Sequence, residues 1–170
     1  MDQDSGSTGI GLGGSDVLEV CEAVELRCAE LYHYFAELFK EKRESSHLWI
    51  KVAMEEENQA RLFALLFKLR RSNIIVSVGI ELVEAEVALI YVLSVMEKAM
   101  ANPPTLEEAT LIALDLKSKL NRFMPEHSIV FADSSYEKSF RNVNTPVDEL
   151  REAFERLSLP PGRRPANHGR

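Results

Sequence analysis

The feature that most constrains this chain is a row of apolar residues beginning just after Asp16: Val17, Cys21, Val24, Cys28, Leu31, Phe35 and Leu38. The steps alternate between four and three residues, which only an α-helix can gather on one side. A helix of this kind must bury its stripe against partners of similar length, so the rest of the sequence is read for those partners. Asp16 supplies the N-cap, its carboxylate placed to accept from the first free amides.

Three further stripes answer. The second is Leu48, Trp49, Val52, Ala53, Phe63, Leu66 and Phe67, with Ser45 or Ser46 expected as its cap. The third is Val78, Leu82, Ala85, Leu89, Val92, Met96 and Ala99, closed by Asn102, Pro103 and Pro104. In the fourth, Thr105 is the cap and Glu107 and Glu108 favour the positive helix end, ahead of Leu106, Ala109, Ala113, Leu116, Leu120 and Phe123. Pro125 is expected to stop it. A polar loop from Glu126 to Ser135 and a short helical stretch from Tyr136 to Val143 follow. A last helix has Asn144 or Thr145 as cap, Pro146 in its first turn, and Val147, Leu150, Phe154 and Leu157 as its inner face. Strand signals are weak, since residues 74–78 alternate poorly. The expected fold is all-α: a bundle of four long helices with an additional helix.

The ends differ from this middle. Residues 1–15 are Gly- and Ser-rich and cannot bury enough surface to offset the entropy of ordering them. Residues 159–170 are Pro-punctuated and carry Arg163, Arg164 and Arg170 without an acid. Both are expected to be disordered tails around a bundle at residues 16–158. The start has neither a basic segment nor an apolar core of the secretory type, and no apolar run reaches the eighteen or so residues of a membrane span. A net charge of −7 gives no basic face for nucleic acid and none for an anionic membrane. Two Cys are too few for a disulfide framework or a thiolate zinc site. Seven residues apart on one helix, they stand about 10 Å from each other along its axis and are expected to be small buried hydrophobes. The expectation is a cytoplasmic protein, homodimeric through a side face.

Acids inside apolar rows carry the functional signal. Beside the main stripe of the first helix runs the row Leu18, Glu25, Tyr32, Phe39. The inner row of the second helix is Trp49, Val52, Glu56, Gln59, Phe63, Leu66, with a carboxylate and an amide at its centre. A buried, unpaired carboxylate costs several kcal/mol in practice, so it needs a metal ion, a cationic side chain or a proton. The alternative is that both acids sit at helix edges and reach water.

Glu25, then Tyr32 after six intervening residues, then Tyr34, Phe35 and Ala36 resemble the first ligand helix of the ferritin-like superfamily, in its rubrerythrin-like branch. The segment from Ala53 through Glu56 and Gln59 to Ala60 is similar to the Glu-x-x-His-Ala segment of that family. The resemblance implies a four-helix bundle around a carboxylate-bridged di-iron centre. On its register, Gln59 stands where the histidine ligand falls, Lys117 where a ligand Glu falls, and Asp148 and Arg151 where a second Glu-x-x-His falls. A second register uses Glu84 and Tyr91, which repeat the Glu-to-Tyr spacing of the first helix. A retained site would then use Glu25, Glu56, Glu84 and Asp148 as ligands, with Tyr32 and Tyr91 hydrogen-bonding nearby.

Two function classes follow. In the first, Lys117 and Arg151 neutralise Glu25 and Glu56, no metal cofactor is needed, and the chain is a non-catalytic scaffold or interaction protein with a degenerate centre. In the second, a di-iron or di-manganese site rich in oxygen ligands makes it an oxidoreductase that reduces peroxide or oxidises ferrous iron. That enzyme would draw electrons from an external donor, since no second Cys pair of the rubredoxin type occurs. A plain helical interaction module, with every polar residue at an edge, is the third reading. His33, His47, His127 and His168 favour none of them, and His33 is expected to be exposed or paired with a carboxylate.

Overall fold

A computed structural model of the chain describes residues 16–123, 129–135 and 137. The described part is mostly helical: α1 (Val17–Leu38), α2 (Arg43–Arg71), α3 (Leu82–Ala101) and α4 (Leu106–Leu120), with a 3-10 turn at Asn121–Phe123. The expected capping holds at two starts. Asp16 accepts from the Leu18 amide at 2.9 Å while Glu19 reaches back to the Asp16 amide at 3.0 Å. Thr105 and Glu108 form the same reciprocal box on α4. At α2 the expected serine cap is replaced by an earlier start. Lys42 stands at the cap position without a side-chain bond, and the Ser46 hydroxyl donates to the Ala36 carbonyl at 2.9 Å instead. That hydroxyl seals the end of α1.

α2 ends in a Schellman motif. Asn73 takes a positive φ of 59°, its amide bonds to the Arg70 carbonyl at 3.0 Å, and the Ile74 amide bonds to the Leu69 carbonyl at 3.0 Å. The turn throws the chain into a strand, β1 (Ile75–Val78), which pairs antiparallel with β2 (Ile129–Phe131). Ile75 faces Phe131 and Val78 faces Ile129, with an irregularity between Ile75 and Ser77. The described part is consistent with the expected all-α class; the ribbon corrects only the reading of residues 74–78 as without a strand and of 129–131 as loop. Both strands are short β-branched runs whose partners lie far away in sequence, where periodicity has nothing to register.

Contacts at the helix ends fix the direction of each helix. Asp16 at the start of α1 pairs with Arg70 at the end of α2 at 3.1 Å, so the two are antiparallel. Asp16, Arg70, Ile80, Glu81 and Leu82 line one shallow hollow, which puts the start of α3 beside the start of α1. At the opposite end, the Tyr34 hydroxyl donates to the Ala99 carbonyl at 3.3 Å. α3 thus runs parallel to α1, and α4 returns beside it, with Tyr91 meeting Asp115 and Lys119. The path is up-down-up-down. A ferritin-like bundle has one long crossover, whereas here α2 reaches α3 through residues 72–81 at one end.

The core gathers along α1, whose stripe is buried from Val17 to Ala36. Trp49 is its centre of mass: Tyr32 stacks on it at 5.8 Å between ring centroids and Phe35 meets it edge-on at 5.0 Å. Residues 1–15 and those beyond 137, where the short helical stretch, the last helix, Asp148 and Arg151 are expected, lie outside the described residues, as do 124–128 and 136.

Candidate functional site: a buried acid pair held by a lysine

The row on α1 that holds Leu18 and Tyr32 carries Glu25 into the core, where it is 8% exposed. The inner row of α2 does the same for Glu56, 3% exposed. Neither acid sits at an edge. Lys117, in the last turn of α4, follows the buried Leu116 and turns its stem inward. Its ammonium forms an ion pair with Oε1 of Glu56. Three helices therefore contribute one ionisable group each to one place, two acids and one amine.

The protonation pattern follows from the arithmetic of charge. Burial holds the Glu25 carboxyl well above the usual carboxylate range, and the neighbouring charge of Glu56 and a hydrogen bond between the two acids push the same way, against the pull of Lys117. Burial works most strongly against the Lys117 ammonium. The Glu56 charge and hydrogen bond, with Glu25 and Cys28 behind them, outweigh it and leave the ammonium more firmly protonated than in water. The Glu25 carboxyl is held toward its protonated form and Lys117 is held as the cation. One ammonium thus stands beside two buried acids that share a hydrogen bond.

Around it the groups are silent. Cys28, one turn along α1 from Glu25, is 1% exposed. Burial raises its thiol far above the ordinary value, and Glu25 and Glu56 reinforce the shift. Burial also raises the Cys21 thiol, to about 12, with Glu25 and Asp16 adding to it. Tyr32, 1% exposed, has its phenol pushed up by burial and then by Cys28, Glu56 and Glu25. None of these can supply a nucleophile or a thiolate ligand near neutral pH. Both cysteines are free and buried, as the sequence suggested. The proximity of Cys28 to the acids was readable from its place three residues after Glu25, on the same helix side.

The remaining candidates lie elsewhere. Gln59 is half-buried on α2, one turn after Glu56. Glu84 is exposed in the first turn of α3, which takes it out of the buried group and corrects its expected place as a third interior carboxylate. The cause is the face it occupies, since Ala85 and Ala88 point inward there. Tyr91, expected beside the acids, donates to Asp115 and accepts from Lys119 at 2.7 Å on the outer seam of α3 and α4. His33 is exposed and bonds through Nε2 to Glu57 at 2.9 Å.

Among the described residues no three His, Cys, Asp or Glu side chains stand close enough to hold a metal ion. The donor set at the centre fits a metal pair poorly on chemical grounds. Burial holds the Glu25 carboxyl toward its protonated form, and Glu56 presents an oxygen to an ammonium that a divalent cation would repel. Comparison of the chain with protein-family models, with curated proteins and with solved structures finds no match. No helix among the described residues is long and apolar enough to cross a membrane.

Proposed function

We propose that this chain is a non-catalytic helical scaffold or interaction protein, ferritin-like in its first helical pair, in which an internal ion pair takes the place of a di-metal centre. The observation that carries the reading is Lys117 on Glu56, with the Glu25 carboxyl beside them held well above the usual carboxylate range by burial. A di-iron site brings roughly four positive charges that anionic ligands must balance. Here a cationic side chain of the same protein already occupies the place beside the two acids. The two nearby thiols and the phenol of Tyr32 are held in their neutral forms, which leaves the centre without a reactive group. The resemblance that suggested iron covers α1 and α2; α3 and α4 follow the up-down path rather than a crossover, and they contribute the lysine. The scaffold reading needs only the hairpin and the lysine.

Metal analysis of the full chain purified from iron-supplemented cells tests it. The expected content is far below one iron per chain, with no absorption from an oxo-bridged pair. Two irons per chain with that absorption would overturn the proposal.

A further inference from the structure

α3 carries an apolar face that the core does not use. Its buried residues are Ala85, Ala88, Val92, Met96 and Ala99. Val83, Val87 and Ile90, at helical spacing on the other side, are 68%, 55% and 66% exposed, and Leu93 beside them is 43% exposed. Apolar residues scattered singly on a surface are ordinary, but several adjacent ones rimmed by charge mark a docking face. Toward α4 the stripe borders a cavity of about 330 Å³ lined by Val87, Ala88, Tyr91, Lys119, Leu120 and Phe123. The Lys119 ammonium at its rim is already matched by Asp115 at 2.7 Å, so the cavity favours an apolar side chain.

Charge decides what docks there. From Glu81 to the end of α3 stand four acids, Glu81, Glu84, Glu86 and Glu97, against one base, Lys98. Glu86 and Glu97 are eleven residues apart, which is three helical turns and about 20°. Both therefore lie along one edge of the apolar stripe, about 16 Å from each other along the axis. Glu97 is exposed and Glu86 half-buried. A second copy of the chain would bring the same acids to this face, and like charges set opposite one another weaken association. An anionic membrane surface is repelled for the same reason. A basic partner is drawn in, and a stripe of this spacing is what the apolar side of an amphipathic helix covers.

We propose that the outer face of α3 is the docking surface for a basic amphipathic helix of another protein. That helix lays its apolar side on Val83, Val87 and Ile90, seats one large apolar side chain in the α3–α4 cavity, and sets Lys or Arg against Glu86 and Glu97. The proposal rests on the reading of the chain as an interaction protein and names the chemistry of its partner. Glu25, Glu56 and Lys117 take no part, so the face and the buried centre are tested separately.

Fluorescence anisotropy on the full chain tests it, with sedimentation run alongside. The probe is a labelled synthetic helix of Leu and Lys, about eighteen residues long, and its counterpart is the same pattern built from Leu and Glu. The Leu/Lys helix is expected to bind at micromolar concentration, about tenfold more tightly than the Leu/Glu helix, and to weaken as salt is raised. Ile90→Ser removes apolar surface from the middle of the face, and Glu86→Lys with Glu97→Lys reverses the charge of its edge. Each change should weaken the Leu/Lys helix by about tenfold. Met54→Ser, at an apolar residue 55% exposed on α2, should leave it within about twofold. Equal binding of the two helices, binding that survives both α3 changes, binding lost equally in Met54→Ser, or a wild-type dimer that Ile90→Ser dissociates would each overturn the proposal. No binding in a chain free of iron would overturn the docking face alone, whereas two irons per chain would overturn the reading beneath it.

Discussion

At the scale of single residues, everything turns on one ammonium. Removing it in Lys117→Met leaves Glu56 buried without its counter-charge, and breaking a buried pair in this way costs about 3–5 kcal/mol. Adding Glu56→Gln removes the stranded charge. The double variant should return to within about 1 kcal/mol of wild type, or exceed it, since apolar or neutral replacements of buried pairs are often tolerated. Urea denaturation at pH 7 reads all three. Glu25 gives a test with a defined sign. Its carboxyl titrates higher in the folded chain than in the unfolded one, so the stability it contributes is complete below the unfolded value of 4.5 and is lost as pH rises through the folded value. The thermal midpoint of the wild type should therefore fall relative to that of Glu25→Gln between pH 5 and pH 8. A difference that is flat across this range would mean that the acid is ionised throughout. Lys117 follows the same sign in a higher range: its raised value contributes stability that is complete below the unfolded value of 10.5 and is lost as pH rises above it.

At the scale of elements, helix stops prove as informative as helix starts. Asn73 sits in the left-handed region, where a β-branched side chain pays about 1–2 kcal/mol. Asn73→Val should lose about that much stability in denaturant titration, and Asn73→Gly should be close to neutral. The stripes of α1 and α4 were legible with their caps, because period and capping are local properties of sequence. The interior position of Glu25 and Glu56 was legible for the same reason, each being the odd member of an apolar row. Lys117 came into view through its register in the family resemblance; its own neighbours give no hint that it turns inward. The ribbon was not legible, since Ile75 and Phe131 are joined by a pairing that no short window contains. Nor was the outward turn of Tyr91, which depends on how α3 rotates against α1.

At the scale of the whole molecule, α1 is the member against which α2 and α3 pack, and its two thiols report on the integrity of that core. Cys21 and Cys28 are 2% and 1% exposed, and burial raises both thiols. Labelling by a thiol reagent at pH 8 should then be as slow as global unfolding and should speed up in step with it as urea is added. Fast labelling of either residue in native buffer would show that the hairpin of α1 and α2 opens on its own.

The pairing of Ile75 with Phe131 ties together two points that are 56 residues apart along the chain. The pair α1–α2 is built from neighbours in sequence and can zip early, and α3 docks chiefly on α1, whereas this latch must wait for a long loop to close, at an entropic cost that grows with loop length. Unfastened, it releases β2 while the first hairpin keeps its aromatic heart. The molecule is thus a durable set of three helices and a more lightly held α4, which Lys117 pins from within.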